Sequence, residues 1–113
     1  MEQVNKLLEK YNNFKYEQIR SIQQLSDSSK IITLVILDDE GEDVSKVEIE
    51  FKDINASKLL IDDALPYLDM TSGITFIKEN GLYGFGIGKG NAMLNIRNSP
   101  LYIVASEVNI KEI

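Results

Sequence analysis

The sequence contains no cysteine and no histidine. The first absence excludes thiol nucleophiles, disulfides and thiolate zinc sites. The second removes imidazole ligands and the usual general base at neutral pH. Basic residues are few: twelve Lys and Arg stand against eighteen Asp and Glu, giving a net charge of −6 and a pI near 4.6. Phosphate contacts need a basic stripe, so neither nucleic acid nor an anionic membrane is an expected partner. Long apolar runs are missing as well. The longest, Ile31–Leu37, is interrupted by Thr33 and falls far short of the roughly twenty residues of a membrane-spanning helix. The opening M-E-Q-V-N-K-L-L-E-K has no apolar h-region, so the expectation is no signal peptide and a cytoplasmic location. No internal repeat or low-complexity linker divides the chain. With 43% hydrophobic and 27% charged residues among 113, a single globular domain spanning 1–113 is expected, large enough to hold a core without disulfide or metal.

Val4, Leu7, Leu8 and Tyr11 form the i, i+3, i+4, i+7 stripe of an amphipathic helix, and Asn12-Asn13 offers a stop. Between Phe14 and Leu25 the pattern is ambiguous, because Ile19, Ile22 and Leu25 suit helical spacing better than alternation. Ile31–Leu37 is β-branched and apolar on both faces, as in a buried central strand. Val47, Ile49 and Phe51 alternate with charged residues, the signature of a strand with one wet face. The intervening Asp38-Asp39-Glu40-Gly41-Glu42-Asp43 suits a hairpin tip. Over Ala56–Met70, Ser57 is a candidate helix cap and Pro66 a break.

The last forty residues carry most information. Asn80-Gly81 between two strand-like runs predicts a type I′ hairpin. Its register puts Phe76 opposite Phe85, Ile74 opposite Ile87 and Lys78 opposite Tyr83 on one face. The other face pairs Ile77 with Gly84, Thr75 with Gly86 and Gly73 with Gly88. A second turn at Gly90-Asn91 would set Ile87 against Leu94 and Phe85 against Ile96. A third at Asn98-Ser99-Pro100 would set Ile96 against Tyr102 and Leu94 against Val104. These turns together keep one apolar face in phase across four strands.

Three sets of residues invite a functional reading. Y-G-F-G-I-G-K-G-N resembles a phosphate loop only superficially: Tyr83 and Gly90 stand where a Walker A motif needs Gly and Ser or Thr. Its period is two. Gly84, Gly86 and Gly88 share one face, with Asn95 and Arg97 expected beside them, and so lower the floor of the sheet. Packing by the N-terminal helix or a second layer is the plainer reading; a groove for a partner or ligand is the sharper one. Asp38, Asp39, Glu40, Glu42 and Asp43 fail the calcium-loop pattern, since Ile36 and Val47 occupy its first and last ligand positions. A solvated tip is the plain reading, and a surface for a basic protein the sharp one. Asp62, Asp63 and Asp69 are conceivable as paired acids, yet no periodicity fixes them together. No nucleophile elbow or Ser-x-x-Lys stands in a fitting context, so no catalytic residue, cofactor or metal is expected.

Phe14, Tyr16, Ile19 and Ile22, then Ile31–Leu37, V-E-I-E-F-K-D-I, a glycine-led strand at Gly73 and a final Ser106-Glu107-Val108-Asn109-Ile110 follow a familiar order. This layout resembles small uncharacterised bacterial proteins, some similar to immunity proteins of polymorphic toxin systems, which bind a cognate toxin and block it. That family's early motif often carries His-Asp where Lys15 to Glu17 stand here. The resemblance implies that Tyr16 to Leu25 is extended, and it transfers no catalytic or metal residue.

The expected fold is therefore mainly β, or β-dominated α+β: an N-terminal helix and about seven antiparallel strands in a meander, as a curled sheet, half-barrel or sandwich. The expected function is non-catalytic binding, with an immunity-type inhibitor of a basic toxin domain as the first reading. A small-ligand carrier and an interaction module self-pairing as a homodimer through an edge strand are the alternatives.

Overall fold

A computed structural model describes residues 1–113. In chain order it contains helix α1 (Glu2–Lys10), strands β1 (Gln18–Ser26), β2 (Ser29–Leu37) and β3 (Asp43–Lys58), a 3₁₀ segment (Asp62–Tyr67), strands β4 (Ile74–Glu79) and β5 (Leu82–Ile87), helix α2 (Met93–Arg97) and strand β6 (Tyr102–Glu112). The fold is β-dominated, as the patterning requires. Six strands, rather than about seven, form one open antiparallel sheet in the order β1-β2-β3-β6-β5-β4. It is neither a closed barrel nor a sandwich.

One face of the sheet carries the core. Val47, Ile49 and Phe51 of β3 are fully buried beside Ile32 and Leu34 of β2 and Ile103 of β6. The helical stripe works as its spacing demands: Val4 and Leu7 of α1 are buried in this cluster. Asn12, Asn13 and Phe14 end the helix at positive φ (52°, 57° and 58°). Asparagine tolerates that region; Phe14 is held there by complete burial. Three phenylalanines form the centre, with ring centroids 5.5 Å apart for Phe76–Phe85 and Phe51–Phe85 and 6.0 Å for Phe51–Phe76.

The Asn80-Gly81 hairpin has its expected register, including Phe76 opposite Phe85 and Ile77 opposite Gly84. Both turn residues have positive φ, 53° and 79°, as a type I′ turn needs. The next expected strand does not exist. Residues 93–97 are helix α2, so the pairs Ile87–Leu94, Phe85–Ile96, Ile96–Tyr102 and Leu94–Val104 do not form, and the meander is broken. The local cause is a cap: Asn95 Oδ1 accepts the N–H groups of Asn91 and Ala92, both at 3.2 Å, and Ala, Met, Leu and Arg are good helix formers. Leu94 points to solvent. The true neighbour of β5 is β6, which pairs Phe85 with Ile103 and Tyr83 with Ala105 and inserts between β3 and β5.

Two segments that the patterning left open are resolved by the structure, the first as strand β1, in agreement with the extended reading of Tyr16 to Leu25. Ile19 and Ile22 both pack on the core although three residues apart in a strand, because a register shift between Ile19 and Ser21 adds a residue and resets the alternation. That bulge imitates helical spacing. Between Ala56 and Met70, Ser57 caps nothing: it lies within β3, and the helical turn begins at Asp62 and contains Pro66.

Candidate functional site

The β2–β3 hairpin projects the acidic run at its tip, and Asp38 gives the tip its shape. The Asp38 carboxylate Oδ1 accepts the N–H groups of Glu40 and Glu42, each at 2.9 Å. The backbone closes the same loop, with Asp38 N–H donating to Glu42 O and Gly41 N–H to Asp38 O. Gly41 supplies the left-handed residue, at φ 83°. Asp43 is not part of the tip. It begins β3 opposite Leu37 and accepts both ends of the Arg20 guanidinium, at 2.9 and 2.8 Å. Those hydrogen bonds from Arg20 hold its carboxyl below the usual aspartate range. The five candidate acids thus divide. Asp38 and Asp43 are committed to the hairpin, while Asp39, Glu40 and Glu42 are exposed and form no ion pair.

Beside the tip lies a feature that sequence reasoning missed. Glu17 Oε1 accepts the Leu37 N–H at 3.2 Å, and both residues line a cleft of about 430 Å³ with Tyr16, Leu65, Pro66 and Asp69. Tyr16 is held at φ 65°, its N–H donating to Met70 O at 2.8 Å, and its side chain is 73% exposed. Tyr67, between the cleft residues Pro66 and Leu68, is 88% exposed. Exposed tyrosines are the side chains most suited to anchoring a protein partner. The only sequence signal for them is an aperiodic segment that nonetheless carries apolar and aromatic residues.

The other acidic candidates stay apart. Asp62 Oδ1 accepts the Ile22 N–H of the edge strand β1. Asp69 Oδ1 accepts the Thr71 N–H and hydroxyl, and the hydroxyl contact chiefly lowers its carboxyl below the ordinary value. No three acidic side chains converge as a metal-sized group.

The glycine strip is covered. Gly84 and Gly86 are buried, and a Cβ at Gly84 would lie 2.8 Å from Met93 Sδ and 3.2 Å from Ile96 Cγ1. The covering element is α2, not the N-terminal helix, which packs in the cluster on the opposite, Phe85 face. Asn95 is spent on capping α2, Arg97 is exposed at its end, and a Cβ at Gly88 would meet nothing within 4 Å. The strip is therefore packed, as the plainer reading had it, with α2 in place of the N-terminal helix over Gly84 and Gly86. Gly86→Val should lower stability by about 1–3 kcal/mol, since its Cβ would already stand 3.2 Å from Ser99 Cβ and 3.3 Å from Ile96 Cδ1. Ser99 has little freedom to yield, because its Oγ accepts the Ile87 N–H at 2.8 Å and donates to Leu101 O at 2.6 Å. A thermal melt unchanged from wild type would mean that α2 lifts freely off the strip. Comparison with known protein families, characterised proteins and solved structures finds no match to this chain.

Proposed function

We propose that this protein is a non-catalytic, cytoplasmic binding protein of the immunity type, which inhibits a basic toxin domain by stoichiometric association. The observation that carries the reading is the preformed acidic tip. Asp38 fixes the loop backbone from within, so Asp39, Glu40 and Glu42 present three unneutralised carboxylates without a further cost of ordering the loop backbone on binding. The adjoining cleft adds Tyr16, and Tyr67 stands next to it; together they supply aromatic contact area beside the charge. The small-ligand alternative called for a barrel interior or an open glycine floor. The sheet is open and α2 occupies that floor.

Charge of this kind acts mainly on encounter. The triple variant Asp39→Asn, Glu40→Gln, Glu42→Gln should keep the wild-type melt, because exposed charges at a turn contribute little to stability. Its association with a basic toxin domain that the wild-type protein binds should be slower than that of wild type by roughly tenfold at low salt. The gap should close as salt rises and the Debye length falls to about 3 Å at 1 M. Stopped-flow mixing at two ionic strengths measures this. Equal association rates in low salt would reduce the tip to a solvated turn. Asp38 and Asp43 are left intact, since altering them would confound binding with hairpin structure.

A further inference from the structure

We infer that the second half of β6 is a self-complementary edge through which two copies of this chain pair antiparallel. The stagger of the sheet creates that edge. β5 pairs with β6 only from Tyr102 to Ala105, whereas β3 accompanies β6 as far as Glu112. Beyond Ala105 no strand lies on the β5 side. Ile113 N–H donates to Lys46 O of β3, and strand alternation then turns the backbone groups of Lys111, Asn109 and Glu107 toward β3 as well. Those of Val108 and Ile110 point the other way, with no partner in the chain.

The other two edges are managed differently. At β1 the Asp62 carboxylate takes the Ile22 N–H, while β4 is six residues long and ends in Lys78-Glu79. The free stretch of β6 reads Glu107-Val108-Asn109-Ile110-Lys111. A second copy running antiparallel must set outward residues against outward residues. Centred on Asn109, that register puts Val108 opposite Ile110 of the other copy and exchanges about four backbone hydrogen bonds. The same register puts Glu107 opposite Lys111 twice, and Asn109 opposite itself.

The charge pattern extends beyond the seam. Within the chain Glu48 stands opposite Lys111 and Lys52 opposite Glu107. Across the seam the row becomes Glu48, Lys111, Glu107 of the second copy, Lys52 of the second copy, alternating in sign at every step. Shifting the seam by one hydrogen-bonded step either way replaces the Glu–Lys contacts with Glu107 or Lys111 against Asn109. Centring it on Glu107 or Lys111 sets like charges together, which is unfavourable in cross-strand pairs. Neither Glu107 nor Lys111 has an ion-pair partner within its own chain. Val108 and Ile110, half-buried against the core cluster, would extend the apolar face from one copy into the next. A five-residue seam is smaller than a standard interface, so the dimer is weak and concentration-dependent.

Sedimentation equilibrium over a wide concentration range tests the pairing. The wild-type mass should rise from 12.8 kDa toward twice that value. Glu107→Lys and Lys111→Glu should each remain monomeric, having like charge at both contacts. An equimolar mixture of the two should dimerise, because opposite charge is restored at both. Hydrogen exchange on the unaltered protein gives a readout independent of the variants: the Val108 and Ile110 amides should slow with concentration, and amides along β4 should not. A wild-type mass fixed at 12.8 kDa, dimers that persist in both single variants, or protection confined to β4 would each overturn the proposal.

Discussion

Phe85→Ala is expected to lose about 3–5 kcal/mol of stability, the range for truncating a fully buried aromatic side chain. Phe85 is 0% exposed and touches both other rings of the aromatic centre, Phe51 and Phe76, at centroid separations of 5.5 Å. These rings come from β3, β4 and β5, whereas β5 is hydrogen-bonded only to β4 and β6. The side chain therefore ties the β4–β5 hairpin to β3 across the intervening strand, through side-chain packing alone. Its removal leaves a cavity that backbone pairing on either side prevents from collapsing. Total stabilities of domains are about 5–15 kcal/mol, so the variant should be partly unfolded or close to it at physiological temperature. Urea unfolding measures the loss, and a value under about 1 kcal/mol would show that the three rings do not form a shared core.

Gly73→Ala should be nearly as damaging for a different reason. A Cβ at Gly73 would stand 2.1 Å from Asn13 O and 3.0 Å from Asn13 C, both backbone atoms, at φ 71°. Gly73 also donates its N–H to Met70 O and accepts the Gly88 N–H, so it cannot back away without breaking the start of the hairpin. Positive-φ strain and the steric collision each contribute about 1–3 kcal/mol. Gly88→Ala separates the two causes. Its φ is 95° but nothing lies within 4 Å of its Cβ position, so only the conformational part, about 1–2 kcal/mol, should be lost. Equal losses for the two variants in urea unfolding would show that the contact with Asn13 is not rigid.

The parts of this architecture readable in the sequence were those where a local rule fixes geometry without knowledge of the rest. A two-residue Asn80-Gly81 loop dictates its register, so Phe76 and Phe85 could be paired from residue numbers alone. Alternation placed Val47, Ile49 and Phe51 in the core. Error at α2, and ambiguity elsewhere, arose where alternation was interrupted or imitated. Leu94 and Ile96 sit two apart like strand residues, but Met93 and Ile96 sit three apart, and the second spacing is the one used over the glycine strip. At Ile19 and Ile22 a bulge made a strand look helical. Another interruption falls in β3 at Asp53, where φ is 53° and the core-facing set changes from Val47, Ile49 and Phe51 to Ile54. Of the candidate surface, the acidic tip was legible as composition. Its division into shaping and free carboxylates depends on Arg20, twenty-three positions away, which no local pattern connects to Asp43.

The placement of β6 has a consequence for how the chain must be made. The three-stranded unit β1–β3 and the hairpin β4–β5 are each complete in sequence before residue 88, yet in the sheet they are joined through the strand spanning 102–112. During synthesis from the N-terminus, β3 and β5 therefore wait with one hydrogen-bonding edge and part of their apolar face uncovered until β6 leaves the ribosome. Non-local closure of this kind is slow, and unpaired edges of partly made chains are where aggregation begins. Chains stalled or clipped before β6 should accumulate as insoluble or chaperone-held material rather than as a smaller folded protein. β6, made after both units, is the strand that converts them into a single cooperative sheet.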